Sequence, residues 1–452
     1  MYIYQCISKN FQSLNSATVD YYLNVIKRLN QKIDDPEFTK LYKIGEQSFT
    51  RNCFFTFKTL IAFLMTNLQK GCQRELEIFV GNAILDGLGL KEVSKEAFFM
   101  ARKKLKATVF KALSNEVIDE FYKSDSVQRW HGYRILSVDG TRLVLPDEKP
   151  LKAIFGFVQS SKDNINQNEV CMAQGLTIYD SLNKITLYAG LENIKTSESA
   201  MLYKALPECN LDKNDILVMD RYYPSVLLCF FLQKLNTQFC FRMKIGGWNL
   251  VKAFVKSAED SRIITIVLRG DNKKKGADLG IYRTHLKCRL TRVVLDSGQI
   301  EVLLTSMLDE QAISVADTKE LYGLRWSTED EFKTYKNKVC VENFSGKSEL
   351  AVRQDFYAKI LIMNLVAVAI KPINTALGQE IKEKYVHQVN LIESIASLKK
   401  AVVSFFVTNK IKNAVQKLIT RIAKITEPIR KNRKFKRKFK DKRRYYMTQK
   451  PV

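Results

Sequence analysis

Residues 133–146 read YRILSVDGTRLVLP, a β-prone run with Asp139 and Gly140 at its centre and Pro146 at its end. Upstream, from about residue 12 to 125, apolar residues recur at three- and four-residue spacing, the period of helices. At residue 133 that period gives way to short segments bounded by Asp, Asn, Gly or Pro: VCMAQGLTIYD (170–180), NKITLYAGLE (183–192) and DILVMD (215–220). Three strands precede a helix expected to start near residues 196–199, and a fourth strand follows it. The expected class is α/β, opening on an antiparallel meander.

Further on, a helix is expected over 226–235 and a fifth strand over FCFRMKI (239–245). Residues 246–317 offer three more strands, IITIVLRG (263–270), LKCRLTRVVLD (286–296) and IEVLLTS (300–306), and a basic loop at 271–278 with Lys273, Lys274 and Lys275. This block reads as a β-rich insertion into the α/β domain, with a free-standing β domain as the alternative. Helical periodicity returns at Asp317 and persists to about Thr426. The expected organisation is a helical N-terminal region (1–126), a core in two parts (127–245 and 318–372) split by the insertion (246–317), C-terminal helices (373–426) and a basic tail (427–452).

The 452 residues include 73 Lys and Arg against 47 Asp and Glu, a formal charge of +26. At roughly 100–200 residues per domain, two to four domains are expected. Hydrophobic residues at 46% and aromatics at 11% supply enough apolar surface to offset ordering entropy, which excludes a disordered chain. A field this positive favours polyanions. An anionic membrane fares worse than nucleic acid: apolar runs such as 360–370, between Lys359 and Lys371, fall short of the ~20 residues that cross a bilayer. The first dozen residues also lack the charged-then-apolar pattern of a secretory signal. Residues 430–444, RKNRKFKRKFKDKRR, are expected to stay disordered until they meet phosphate. With their eleven basic residues and one Asp set aside, the remainder still carries +16.

Nine cysteines without a CxxC pair read as thiols of a reducing compartment. The three histidines, His131, His285 and His387, have no Cys or His at zinc-ligand spacing. They also leave few bases for Ser–His or Cys–His catalysis. One N-terminal stretch suggests a nucleic-acid contact. Ser94 can cap a helix from Lys95, with Ala97, Phe98, Ala101 and Leu105 near one face and Lys95, Arg102, Lys103, Lys104 and Lys106 supplying charge. Followed by a second helix over 109–122, it could enter a DNA groove, making Arg102 and Lys103 candidate contacts. A solvated charged face on a bundle helix is the alternative.

In so basic a chain, carboxylates at the ends of apolar strands need a reason. Asp139 follows Ile135, Leu136 and Val138, and Asp220 follows Ile216, Leu217, Val218 and Met219. An unpaired carboxylate there is costly to desolvate, and a cation would offset that cost. With imidazoles and thiols scarce, oxygen ligands select a hard ion such as Mg²⁺ or Mn²⁺. Two such ions can activate a water or a 3′ hydroxyl on one side of a phosphate and stabilise the leaving oxygen on the other. Each Asp alone also fits a turn former or helix cap.

The third element is LYGLRWSTEDEFKTYKNK, where Tyr322, Arg325, Glu329 and Lys336 are spaced by 3, 4 and 7. On one continuous helix they fall within an arc of roughly 60°. A hydroxyl, a guanidinium, a carboxylate and an ammonium in one column suit metal and phosphate better than a core. An Arg325–Glu329 ion pair is the alternative.

With these residues in view, SVDGT (137–141), VMDRYYPS (218–225) and Tyr-x2-Arg-x3-Glu-x6-Lys (322–336) resemble the three signatures of insertion-sequence-four-type bacterial DDE transposases. Supporting similarity extends to residues 94–106, 341–348 and 354–365. The resemblance implies a ribonuclease H-like core interrupted by a β-rich insertion. It also implies two Mg²⁺ ions, with Mn²⁺ as substitute, on Asp139, Asp220 and Glu329. By the same resemblance Tyr322, Arg325, Lys333, Lys336 and Arg242 hold DNA, the partners are the transposon ends and target DNA, and the protein is a homodimer on paired ends in a bacterial cytoplasm, at the nucleoid. A metal-dependent nuclease on the same fold and an inactive DNA-binding descendant are the other readings. Two positions depart from the family: Tyr222 stands where the second signature commonly has Gly, and Glu301 stands where hairpin-forming relatives carry a tryptophan that manages a flipped base. Trp248 lies elsewhere in the insertion.

Overall fold

Alternating hydrophobicity and helix caps shape the second half of the molecule, and long apolar helices the first. The structure, a computed structural model, describes residues 2–51, 53–66, 69–87, 93–124, 126–159, 169–295, 298–379 and 386–429. The side chains of residues 2–15, 326–331 and 378–379 lie outside that description. The basic stretch 430–444 lies outside the described residues altogether. The chain forms two compact units, one of residues 1–127, 143–173 and 334–452, the other of 128–142 and 174–333.

The first unit opens with α1 (Tyr2–Asp34), α2 (Pro36–Tyr42), α3 (Phe57–Leu64), α4 (Cys72–Leu85), α5 (Lys95–Arg102) and α6 (Val109–Tyr122). Thr56 and Ser94 start α3 and α5 by accepting from the Thr59 and Ala97 N–H groups at 3.1 and 3.3 Å, satisfying donors that a helix start leaves orphaned. Strand β1 (Arg134–Val144) begins in the second unit and ends in the first, where α7 (Lys149–Phe155) and β2 (Phe157–Gln159) follow. β2 pairs antiparallel with the start of β3 (Glu169–Asp180), Val158 opposite Val170. Neither α7 nor β2 shows in the sequence pattern.

β3 leads back into the second unit, which continues through β4 (Ile185–Asn193), α8 (Glu198–Ala205), β5 (Asp215–Met219), α9 (Val226–Lys234), β6 (Gln238–Met243), α10 (Asn249–Ser257), β7 (Ser261–Val267), α11 (Gly270–Asp278), β8 (His285–Val294), β9 (Ile300–Thr305) and α12 (Val315–Gly323). Its strands lie in the order β3-β1-β5-β6-β9-β8-β7, with β4 also on β3. β1, β5 and β6 run parallel, while β9, β8 and β7 join antiparallel, so the sheet is mixed. The α/β class stands. The 271–278 segment, expected as a loop, is the helix α11: Lys273, Lys274 and Lys275 are exposed on it, while Gly276 is buried against Leu268 and Ile281.

Because successive side chains of a strand point to opposite faces, the sheet carries two cores. Leu136, Val138, Leu217, Met219, Phe239 and Phe241 belong to one. Ile135, Ile216, Val218, Cys240 and Leu303 belong to the other, which Leu321 and Tyr322 of α12 help close.

Then α13 (Trp326–Asn337) leads from the second unit into the first, where α14 (Glu349–Gln379), β10 (His387–Val389), α15 (Leu391–Phe406), α16 (Ile411–Lys424) and β11 (Thr426–Pro428) complete the chain. α14 runs on through Lys359 and Lys371, so one helix is, contrary to expectation, long and apolar enough to cross a membrane. The same test is passed by a soluble core helix, and 67% of its apolar window is buried within the fold. Lys359, 2% exposed, donates to the carbonyls of Cys340 and Asn343 at 3.0 and 2.7 Å. Among the described residues no disulfide forms, and four cysteines are buried: Cys171, Cys229, Cys240 and Cys288.

Candidate active site

Parallel pairing sets Val138 of β1 against Met219 of β5. One residue further along each strand stand Asp139 and Asp220. By the alternation of the strands, both lie on the face of Ile135, Ile216 and Val218, the face that Tyr322 covers. Arg242 on β6 and Glu301 on β9 share that face, two residues from Cys240 and Leu303 respectively.

Asp139 is mostly buried, and its pKa is pushed up to about 6. Burial is the main cause, and the neighbouring carboxylates of Glu198 and Asp220 add to it; the Gly140 N–H, which donates to Asp139 Oδ1 at 2.9 Å, and Arg325 act the other way. Arg325 is 4% exposed and brings Nη1 to 4.0 Å from Asp139 Oδ2. Burial works against its charge, but Tyr322, Asp220 and Asp139 more than offset this and raise its pKa. The guanidinium also lies 5.6 Å over the Tyr322 ring, and burial pushes that phenol up to about 12. Asp220 accepts from the Arg221 N–H at the turn that follows β5.

A further carboxylate sits here that the sequence did not single out. Ser197 caps α8 by accepting from the Ala200 N–H at 3.2 Å, which places Glu198 in the first turn. Tyr223 donates its hydroxyl to Glu198 Oε2 at 2.6 Å, and Gln174 donates to Oε1 at 3.3 Å. Burial, and then Glu198 itself, hold the Tyr223 phenol far above its usual range. The Glu198 carboxylate lies where a Cβ at residue 140 would stand, so any side chain there would have to push Glu198 from its place against Tyr223 and Gln174. A Ser-Glu pair at a helix start reads as a capping signal, and only the fold brings it to β1.

Other expected residues are placed differently. Tyr322, Arg325, Glu329 and Lys336 do not share one helix: α12 ends at Gly323, Arg325 N–H turns back to the Tyr322 carbonyl at 3.1 Å, and α13 begins at Trp326. The common arc therefore does not apply. The side chain of Glu329 lies outside the described residues, although its backbone is in α13. Lys333 is exposed on α13. In the first unit, Lys336 Nζ lies 3.9 Å from Glu342 Oε1. Arg242 is bound by Glu301, Nη2 to Oε1 at 2.7 Å, so the glutamate in the tryptophan position neutralises it.

Arg102 requires a correction. Instead of facing a groove it is 4% exposed and donates to Gln354 Oε1 at 3.0 Å, Ser345 Oγ at 2.8 Å, the Ala351 carbonyl at 3.1 Å and Asp355 Oδ1 at 2.9 Å. Asp355 is held below the usual carboxylate range despite its burial, because Arg102, Lys359 and Ser345 favour its charged form. A buried guanidinium needs this many acceptors. Lys103, the next residue, is exposed.

The mixed sheet thus sets two carboxylates, Asp139 within β1 and Asp220 just past the end of β5, with Arg325 beside Asp139 in a strongly basic chain, a set of groups that can serve phosphoryl transfer. The family model described as transposase DDE domain matches residues 130–365, just over half of the chain, and the chain belongs to that family of DNA transposases, DNA-binding enzymes of recombination. Its structure is similar to the piggyBac transposase in a synaptic complex with hairpin DNA, at 10% sequence identity and a TM-score of 0.41, over 90% of this chain and 85% of that one. No curated protein matches the sequence.

Proposed function

We propose that this protein is an insertion-sequence-four-type bacterial transposase, acting at the nucleoid, with a ribonuclease H-like core. It hydrolyses the phosphodiester at each end of its own mobile element and joins the freed 3′ hydroxyls to target DNA. The observation that carries the reading is the pairing of Asp139 with Asp220 on adjacent parallel strands, one pushed up to about 6 by burial among carboxylates. That donor set, all oxygen, fits a hard divalent ion. Asp139, Asp220 and Glu329 would hold two Mg²⁺ ions, with Mn²⁺ as substitute. Bound there, the ions would supply charge stabilisation and an activated oxygen nucleophile.

The residues of the chain do the rest. Arg325, fixed between Tyr322 and Asp139, presents a planar cation for phosphate oxygens at the site. Lys333, Lys336 and Lys103 contribute charge along the flanking DNA backbone. Two copies act on paired ends, since two cuts must be joined in concert. The test uses DNA from the flanks of the gene, chosen for inverted repeats, with purified protein, Mg²⁺ and a plasmid target. Cleavage at the repeat and joined products are expected; cleavage without joining would leave a nuclease, and neither product would refute the reading.

A further inference from the structure

Asp220 is followed by two tyrosines with opposite environments. Tyr223 is 3% exposed, in the core, with its hydroxyl on Glu198. Tyr222 is 67% exposed. Two cations lie over its ring, Lys244 with Nζ 4.5 Å from the ring centroid and Arg221 with Cζ 5.5 Å from it. Tyr322 and Trp130, by contrast, are nearly buried, and Trp248, the tryptophan of the insertion, packs against the core. Tyr222 therefore offers a largely solvent-exposed ring, with two cations on long side chains beside it, two residues from Asp220.

An exposed ring flanked by cations fits one ligand chemistry closely. A nucleobase has a planar π face, and its sugar carries a phosphate on either side; one ring and two cations match base and phosphates together. Base stacking needs an unpaired or splayed base, because a base inside a duplex has its faces covered. We propose that Tyr222 is a stacking platform for an unpaired nucleobase beside the phosphate handled at Asp139 and Asp220, with Arg221 and Lys244 on the adjoining phosphates. The inference deepens the transposase reading and rests on it. Tyr222 thus makes a contact that a glycine in its place could not.

The test uses the full chain in Ca²⁺ with a short single strand carrying one 2-aminopurine, and with its duplex. Wild type should quench the fluorescence of the single strand. Tyr222→Ala should abolish the quench and weaken single-strand binding by about 5- to 160-fold, the range of one lost stack, without changing the salt slope. Tyr222→Trp and Tyr222→Phe should keep both, which separates the ring from the hydroxyl. Lys244→Ala and Arg221→Ala should each lower the salt slope by about 0.7, the value for one phosphate on a single strand. Unchanged affinity and quench in Tyr222→Ala, or no single-strand binding by wild type, would overturn the inference. Asp220→Asn in a Mg²⁺ cleavage assay tests the underlying reading separately: cleavage like wild type would sink that reading, whatever the fluorescence shows.

Discussion

Asp139, within β1, and Asp220, just past the end of the parallel neighbour β5, stand at the same level, each one residue beyond the paired Val138 and Met219. Register therefore makes them neighbours, and burial, with the carboxylates of Glu198 and Asp220 adding to it, pushes the pKa of Asp139 up to about 6.

The sign of this shift gives a pH prediction. An aspartate whose folded pKa is raised loses its stabilising contribution as pH climbs from about 4, its unfolded value, to about 6. Asp139→Asn should therefore be more stable than wild type at pH 8 by on the order of 2–3 kcal/mol, with the difference vanishing below about pH 4. Addition of Mg²⁺ at pH 8 should raise the melting temperature of wild type and leave that of the variant nearly unmoved. Calorimetric scans across pH, with Mg²⁺ and after chelation, check both halves; a flat difference would show that Asp139 titrates normally.

Asp139→Asn, Asp220→Asn and Glu329→Gln should each remove Mg²⁺-dependent cleavage of a cognate end while DNA affinity stays within a few-fold. Coordination is lost and the phosphate contacts remain. Gel shift alongside cleavage measures the split, and parallel loss of both would indicate a structural role.

Gly140→Ala should destabilise the protein by about 1–3 kcal/mol, the range for overpacking, since the new methyl meets the Glu198 carboxylate. In a Glu198→Ala background the same change should be much milder. The coupling is read from a double-mutant cycle in urea; additive effects would mean that the two positions do not touch.

Arg102→Ala should cost about 3–5 kcal/mol, the range for leaving a buried partner charge alone, with Asp355 the stranded group. The salt slope of DNA binding should not change. Lys103→Ala and Lys333→Ala should do the reverse, leaving stability alone and lowering the slope on duplex DNA by about 0.9 each, one phosphate's worth. Urea melts and binding isotherms at several salt concentrations separate the two behaviours.

On oligomeric state, a surplus of +26 repels a second copy until phosphate neutralises it. Light scattering at moderate salt should show a monomer or weak association without DNA and a dimer on end DNA. A stable dimer without DNA would contradict the charge argument.

Much of the second unit was legible because its strands are short, apolar and punctuated. The runs at 215–220, 239–245, 286–296 and 300–306 match β5, β6, β8 and β9 to within two residues, and α6 spans 109–122 as expected. α11 was missed because three lysines between glycines look like a loop until Gly276 is seen against Leu268 and Ile281. The break at 324–325 was missed because spacing alone assumes that a helix continues. Charge on α5 suggested solvent, yet Arg102 had its acceptors some 250 residues further along the chain. Glu198 and Tyr223 were illegible as a pair for the same reason: their meeting is tertiary.

The Arg102 network bears on how the protein can be divided. Ser345, Gln354 and Asp355 fall within the matched segment 130–365, but the guanidinium that satisfies them comes from α5, outside it. A fragment excised at those limits would carry an interior anion whose counter-ion had been left behind, and an α14 stripped of α6, on which Asn364 and Ser114 bond at 2.8 Å. Such a piece should aggregate or remain partly folded unless residues from the N-terminal helices are supplied with it. The boundary drawn by sequence kinship and the boundary of what can fold alone are therefore different boundaries.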